Sequence, residues 1–259
     1  MKNRKQLTAF ICISMIFCYM LAGCSTENDK IKQNNEKNQE SANAGKVFSA
    51  QGRIVKIDEN GIHVMVKDKV QRYNVDKAVA DKYYVGEYVG VKNLENNKFD
   101  VSVDNTYDFK NRLTSAGDKI KRVTGTVGEV KDNLVTAVTE MGDIKLNNPG
   151  NFNLKNGAQV MFDYVEMPGG NQMISFYEEA SKINAKVKEI SRDTYGKMRI
   201  YAEGRDKKEY DIQTDENTVT NFSYSSLKKD DNITVYPNEM TGNVPSAVKP
   251  KLIIKDWFC

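Results

Sequence analysis

Short segments in which apolar and polar residues alternate make up most of the chain from Val47 onward. Asn, Asp and Gly separate these segments, as between residues 51–57 and 62–66. Alternation with a period of two is typical of β-strands with one buried face, and the Asn60-Gly61 pair between two such runs predicts a hairpin. The pattern therefore predicts an all-β structure for this part of the chain.

Two sequence signatures recur three times in the same order. The first is a small residue followed by apolar residues two and five positions later, and the second is an apolar residue, a polar turn and a strand. The first begins at Gly52, Gly125 and Ala185, and the second begins at Val85, Leu154 and Leu227. A closing strand is predicted after each copy, and residues 76–84 leave room for one helical turn. The chain is therefore predicted to repeat a five-stranded unit three times.

A five-stranded unit with a short helical excursion resembles the OB-type small barrel, in which closure removes exposed sheet edges. The predicted fold is all-β, with three tandem five-stranded OB-like small barrels at residues 47–121, 122–183 and 184–259. Because Asn184 is nearly the whole boundary between the second and third units, we expect these two units to pack against each other.

The N-terminal stretch follows a different pattern. Lys2, Arg4 and Lys5 precede an apolar run over residues 7–22, which ends in Leu21-Ala22-Gly23-Cys24. A positive region, an apolar region and small residues, in that order, are typical of an export signal. The last four residues match the lipobox at every position, so the chain resembles a bacterial lipoprotein.

The lipoprotein resemblance implies that residues 1–23 are a signal peptide, cleaved between Gly23 and Cys24, and that a diacylglyceryl group is attached to the Cys24 sulfur. The protein would then be lipid-anchored in the cell membrane and face outside the cytoplasm. Two alternatives are a retained transmembrane segment, for which the apolar run is shorter than the roughly 20 residues required, and a secretory signal cleaved elsewhere.

A second resemblance concerns the end of the third unit. Residues 243–253 are similar to the tail of uncharacterised OB-like lipoproteins of low-GC Gram-positive bacteria, from which they depart by inserting Pro250. The resemblance implies no activity, because that family has no settled one.

Residues 24–46 are almost entirely polar, and Ile31 is their one large apolar residue. Such a segment cannot bury enough surface to offset the entropy lost on ordering. We therefore predict a disordered tether, which would hold the first barrel on the order of 25 Å from the membrane.

Charge and cysteine content change the picture once the signal is removed. The chain has 38 basic and 35 acidic residues, and three of the basic ones lie in residues 1–23, which leaves 35 of each sign. This neutral balance argues against a polyanion-binding surface, so nucleic acid is excluded here as a partner. Cys12 and Cys18 lie in the signal, and Cys24 would be lipidated. Cys259 is the one remaining thiol, so no intramolecular disulfide is expected.

Candidate chemistry is sparse. His63 is the one histidine and is predicted to face solvent from a strand, so no catalytic residue, metal site or cofactor is predicted. Three acidic clusters are interpreted as solvated turns, and the acidic segment 211–217 lacks the spacing of an EF-hand. The clusters are Glu178-Glu179, Asp206 with Glu209, and Asp230-Asp231.

Aromatic residues concentrate in the third unit, where Tyr195, Tyr201 and Tyr210 are the candidate ligand-binding residues. Aromatic rings on the open face of such a barrel can stack on sugars or bases, although they can equally form core or cross-strand pairs. The predicted function is a non-enzymatic binding or adaptor module for an envelope protein or cell-wall glycan. The alternative is an Asp/Glu-dependent hydrolase acting on cell-wall or glycan material.

Overall fold

The computed structural model describes residues 48–94, 98–104, 112, 114, 117–150 and 152–256. These residues form β-strands in three sheets, with one short α-helix, Lys77–Ala80 (α1), so the all-β prediction is confirmed. The predicted signal peptide, Cys24, the predicted tether and Cys259 lie outside the described residues. Within the described part, no helix has the length and apolar character needed to cross a membrane.

The first sheet has the strand order β3-β2-β1-β4-β5. Its strands are β1 (Ala50–Asp58), β2 (Gly61–Val66), β3 (Lys69–Tyr73), β4 (Tyr88–Asn93) and β5 (Phe99–Val103). Asp58 pairs with Gly61 across a two-residue turn, which confirms the predicted β1–β2 hairpin. Ile54, Val64 and Val89 are fully buried in its core, and α1 occupies the predicted helical turn before β4.

The second sheet is a closed five-stranded barrel of order β10-β8-β7-β6-β9. Its strands are β6 (Lys121–Lys131), β7 (Leu134–Thr139), β8 (Gly142–Asn147), β9 (Gln159–Met167) and β10 (Gly170–Glu178). The barrel closes where β10 pairs in parallel with β8, at Asn171 and Leu146. Val127, Val135 and Phe162 fill its interior.

The third sheet has six strands in the order β13-β12-β11-β15-β16-β14. They are β11 (Ile183–Arg192), β12 (Met198–Gly204), β13 (Glu209–Gln213), β14 (Val219–Thr220), β15 (Asn232–Met240) and β16 (Ser246–Lys255). An additional parallel pairing joins β13 to β16 at Ile212 and Val248. The core of this sheet includes Ile200, Ile233 and Ile253.

The first sheet differs from the predicted closed barrel, because no pairing joins β3 to β5 in the described residues. Residues 69–72 of β3 are all exposed, so this strand lacks a buried face that would align it with β5. The two edge strands meet through side chains instead, since the Tyr73 and Phe99 rings form an edge-on contact at 5.1 Å.

The second and third sheets share an apolar cluster. Met161 and Tyr177 of the barrel pack with Val219, Tyr236 and Leu252 of the third sheet. The two sheets are therefore in contact, as the short boundary at Asn184 led us to expect.

The first and third sheets also pack against each other, and nothing in the sequence predicted this contact. The backbone N–H of Val85 donates a 2.9 Å hydrogen bond to the Gly196 carbonyl, and Arg192 Nη1 lies 2.8 Å from Asp81 Oδ1. The Tyr84 ring stacks on Tyr224 at 5.9 Å. This junction positions the candidate site.

Candidate functional site

The three tyrosines selected from the sequence lie in three different environments. Tyr195 is 73% exposed, Tyr201 is half-buried with the Arg199 guanidinium 5.4 Å from its ring, and Tyr210 is buried in the third core. Tyr201 and Ala202 are consecutive, and Tyr210 pairs with Ala202, so Tyr201 and Tyr210 point to opposite faces of the sheet. The structure does not bring these rings together, and ligand binding by them stays a prediction.

His63 is not a freely solvated strand residue, so that prediction is corrected. Its side chain is 19% exposed, and Nε2 lies 2.7 Å from Asp58 Oδ2. The β1–β2 hairpin brings these two residues together, because Asp58 ends one strand and His63 lies near the start of the next. The hydrogen bond with His63, and a second one from the Asn60 N–H, lower the pKa of Asp58.

The acidic clusters selected from the sequence form ion pairs and hydrogen bonds. Glu179 accepts from Tyr236 Oη at 2.6 Å and pairs with Lys182. Lys186 pairs with Asp230, and Lys255 pairs with Asp231. In the described residues, no three side chains of His, Cys, Asp or Glu are grouped as metal ligands.

A cavity of about 280 Å³ opens between the first and third sheets. The first sheet contributes a cation and two acids, and the third sheet contributes aromatic and hydroxyl side chains. The charged, aromatic and hydroxyl-bearing residues that line it include Arg53, Glu87, Tyr88, Asp104, Phe222, Ser223 and Tyr224. None of these was a candidate from the sequence.

The backbone around Gly86 builds one wall of the cavity. The Gly86 N–H donates to the Ile54 carbonyl at 2.7 Å, and the Ile54 N–H donates to the Glu87 carbonyl at 2.9 Å. Gly86 has φ of +98°, and a Cβ there would lie 2.6 Å from Tyr224 Oη. Glycine at this position therefore allows the two sheets to approach.

Glu87 is a buried carboxyl group in the cavity wall, with 1% of its surface exposed. Burial raises its pKa, and hydrogen bonds from the Tyr84 N–H to Oε2 at 3.2 Å and from Ser223 Oγ to Oε1 at 3.1 Å partly offset this rise. A carboxyl with increased proton affinity can donate as well as accept hydrogen bonds, and such groups are frequent at functional sites.

Arg53 crosses from the first sheet to the third. Its Nη1 donates to the Glu216 carbonyl at 2.8 Å, and its guanidinium lies 5.2 Å from the Tyr88 ring centroid. Among the described residues, Arg53 Nε is a buried polar atom without a hydrogen-bond partner, and Tyr224 Oη is buried beside the Thr214 side chain without a well-formed hydrogen bond. Both atoms are enclosed in the packed junction and are not open to the cavity.

The second acid of the cavity is Asp104, which is 8% exposed and follows β5. Its Oδ2 accepts from Gln51 Nε2 at 3.1 Å, and its N–H donates to the Tyr88 carbonyl at 2.9 Å. Two carboxyl groups, one guanidinium and several aromatic rings therefore surround one small space. This arrangement can hold a polar molecule that both donates and accepts hydrogen bonds.

No protein-family model and no curated protein matches the chain. Among solved structures, it is similar to a multidomain protein with nucleic acid binding domains from Streptococcus pneumoniae, with 12% identity, a TM-score of 0.21, and coverage of 78% of this chain and 72% of the other. It is also similar to Drosophila Unr CSD456, with 12% identity, a TM-score of 0.21, and coverage of 74% and 90%. A superposition this loose does not define a fold.

The exclusion of nucleic acid as a partner was wrong. One of the structures similar to this chain is described as having nucleic acid binding domains. The neutral balance of 35 acidic and 35 basic residues is a sum over the whole chain, whereas binding depends on the local field at one surface. Net charge therefore does not exclude this class of partner.

Proposed function

We propose that the protein is a lipid-anchored, extracytoplasmic binding module that takes its ligand in the cavity between the first and third sheets. The observation that carries this proposal is the cavity itself, which is lined by buried Glu87 and by half-buried Arg53. The anchor is Cys24, through the lipobox 21–24, and the ligand belongs to an envelope protein or a cell-wall glycan.

The strand orders support three tandem OB-like units as the scaffold. Numbered within each unit, the five main strands follow the order 3-2-1-4-5 in all three sheets. In the second sheet the fifth strand also pairs with the third, and in the third sheet β16 pairs with β13 in the equivalent way. A repeated order favours three copies of one fold over a single large sandwich.

A hydrolase remains the second candidate, and one observation favours it. Glu87, whose pKa burial raises, and Asp104 line the same cavity, and glycoside hydrolysis uses one protonated and one ionised carboxyl group. Both oxygens of Glu87 accept hydrogen bonds from the protein, and Asp104 accepts one from Gln51. These bonds favour binding over proton transfer to a substrate.

The binding proposal is tested by capture from detergent-solubilised envelopes with the full-length chain. Ser226→Tyr places a ring in the cavity, and Lys229→Tyr places the same ring at an exposed position three residues further along the chain that does not line the cavity. We expect Ser226→Tyr to lose the captured component and Lys229→Tyr to retain it. Equal capture by both variants would refute binding in the cavity.

Two further measurements separate the anchor and the hydrolase. Cys24→Ala is expected to move the protein from the membrane fraction to the medium, and its retention in the membrane would refute the lipid anchor. Incubation with envelope glycan is expected to release no reducing ends. Release that Glu87→Gln abolishes would establish the hydrolase instead.

A further inference from the structure

A second hollow of about 280 Å³, called the end groove below, lies at one end of the third sheet. It opens where the starts of β11 and β15 meet the end of β12, and it shares no lining residue with the cavity between the first and third sheets. Lys186 of β11 pairs with Glu203 of β12 on one side and with Asn232 of β15 on the other. Cross-strand partners point to the same face of a sheet, so these three side chains form one row along the groove.

Most charged side chains at the end groove are paired within the protein. Glu203 lies 3.2 Å from both Lys188 and Lys207, and hydrogen bonds from these two lysines lower its pKa. Lys186 lies 2.9 Å from Asp230 and lowers the pKa of that acid. Because two lysines share Glu203, these pairs leave one positive charge in excess.

Two charged residues of the groove lining have no ion-pair partner in the part of the chain that the structure describes, and their charges are opposite. Arg205 follows β12 and is exposed, and its backbone N–H donates to the Asn184 carbonyl at 3.2 Å. Asp256 follows β16 and is exposed, and its backbone N–H donates to the Asn232 carbonyl at 3.0 Å. Each backbone is therefore held by a strand that borders the groove, while the guanidinium and the carboxylate are available to a ligand.

The end groove also contains two half-buried side-chain amides. Asn184 Oδ1 accepts from Thr234 Oγ1 at 3.0 Å, and its NH₂ group has no partner among the described residues. The Asn232 amide has no side-chain partner among those residues either, and an amide both donates and accepts. A peptide group, with one N–H and one C=O, matches these two amides.

From these observations we infer that the end groove binds a small zwitterion, a free amino acid or a dipeptide, whose carboxylate pairs with Arg205 and whose ammonium group pairs with Asp256. Asn184 and Asn232 hydrogen-bond to the peptide group of a dipeptide. The excess lysine charge beside Glu203 also attracts the carboxylate, so the carboxylate contributes more to the affinity than the ammonium group. This site goes beyond the binding function proposed for the cavity and does not depend on it.

Calorimetric titration of the full-length chain in detergent tests the inference with four related probes. They are alanine, alanyl-alanine, N-acetyl-alanyl-alanine and alanyl-alanine amide. We expect saturable binding of the zwitterions, and binding weaker by about fivefold or more when either charge is removed, with the greater loss for the amide. Tighter binding of alanyl-alanine than of alanine assigns the site to a dipeptide, and the reverse order assigns it to an amino acid.

Two variants locate the binding in the end groove. Arg205→Gln should lose most of the difference between alanyl-alanine and its amide, and Asp256→Asn should lose most of the difference between alanyl-alanine and its N-acetyl derivative. Lys208→Gln is the matched control, because Lys208 is an exposed cation of the same turn that does not line the groove, and it should keep the wild-type differences. Urea unfolding of each variant verifies that it is folded.

Three results would overturn the inference. The first is that neither alanine nor alanyl-alanine binds saturably, and the second is that all four probes bind equally. The third is that both groove variants keep the wild-type differences, which would place the binding elsewhere. A thymidine oligonucleotide that binds, is weakened by Arg205→Gln and is not displaced by alanyl-alanine would assign the groove to a polyanion instead.

Discussion

Asp163 in the barrel and Glu87 at the junction of the first and third sheets are both buried carboxyl groups, with 0% and 1% of their surfaces exposed. Their surroundings differ sharply. Arg112 Nη1 lies 2.7 Å from Asp163, and Arg122 forms a two-point pair with it at 2.6 and 2.7 Å. Glu87 accepts hydrogen bonds from the backbone N–H groups of Tyr84 and Ser225 and from the Ser223 hydroxyl.

These surroundings move the two pKa values in opposite directions. Burial alone would raise the pKa of Asp163, but the hydrogen bond from Arg122 and the charges of Arg112 and Arg122 outweigh it and lower the pKa. Burial raises the pKa of Glu87, and its neutral donors do not reverse the shift. Similar burial is therefore accompanied by a lowered pKa at Asp163 and a raised pKa at Glu87.

The difference separates a structural acid from a functional candidate. Asp163 of β9 forms an ion pair with Arg112, a residue that precedes the barrel. The hydrogen-bond partners of Asp163 all belong to the protein. Glu87 lies in the wall of the cavity between the first and third sheets. A carboxyl group in a cavity wall is a candidate for ligand contact, whereas Asp163 is enclosed within the protein.

The largest effect is expected when Asp163 is changed to Asn. The substitution removes the charge that both guanidiniums contact in a buried setting, so we expect a loss of about 3 kcal/mol in the free energy of unfolding. Urea denaturation measures this loss. Asp206→Asn, at an exposed acid, should stay within about 0.5 kcal/mol. A similar small loss for Asp163→Asn would contradict the structural role.

Two tyrosine hydroxyls give a smaller and closer comparison. Tyr177 Oη donates to Asp163 Oδ2 at 3.0 Å, whereas Tyr224 Oη lies beside the Thr214 side chain without a well-formed hydrogen bond, and both residues are 2% exposed. Tyr177→Phe should lower the free energy of unfolding by about 1.5–2 kcal/mol, because it removes a hydrogen bond to a charged group. Tyr224→Phe removes only the weaker contact with Thr214, so it should cost less than Tyr177→Phe.

The same urea denaturation measures both tyrosine variants, and each keeps its aromatic ring. Tyr177 packs against Tyr236 at 5.8 Å, and Tyr224 packs against Tyr84 at 5.9 Å, so ring contacts are retained in both cases. If Tyr224→Phe were the more destabilising of the two, the contact between Tyr224 and Thr214 would be the stronger hydrogen bond, and the comparison would fail.

The alternation of apolar residues was sufficient to predict the strands. The run at residues 99–103 coincides with β5, and the Asn60-Gly61 pair lies at the observed hairpin. Alternation arises because one face of each strand is buried, so each strand can be recognised from its own sequence. The five strands of the closed barrel could be predicted in this way, whereas alternation alone does not show which sheet closes.

Contacts between sheets leave weaker traces in the sequence. Residues 160–165 of β9 are buried on both faces, and a nearly unbroken apolar run is the signal for such a strand. Asp163 interrupts that run, so it could have been recognised as a buried acid in need of partners. Tyr210 could also have been assigned to the core, because alternation puts it on the same face as Ile212.

Glu87 had no comparable signal. It lies in the repeated signature that begins at Val85, where a polar residue after a glycine predicts an exposed turn. Its burial results from the third sheet, whose Ser223 and Tyr224 are more than 130 positions away in sequence. A single sequence carries no information about such a long-range contact, so the cavity could not be predicted.

The smallest effect, and the one that compares the two acids most directly, is the pH dependence of stability. The folded pKa of Glu87 is raised above its reference of 4.5, so the folded state binds more protons and the stability from this group is lost as pH rises through that pKa. The folded pKa of Asp163 is lowered below 3.8, so its contribution is present above 3.8 and lost as pH falls.

Urea unfolding of the wild type, Glu87→Gln and Asp163→Asn at a series of pH values measures both contributions by difference. The stability of the wild type relative to Glu87→Gln should fall as pH rises above about 4.5, and relative to Asp163→Asn it should rise with pH through the range below about 3.8. Opposite slopes are expected because one acid lacks the guanidinium partners that the other has. Slopes of the same sign would mean that the pKa of Glu87 is lowered like that of Asp163, and the contrast between the two acids would fail.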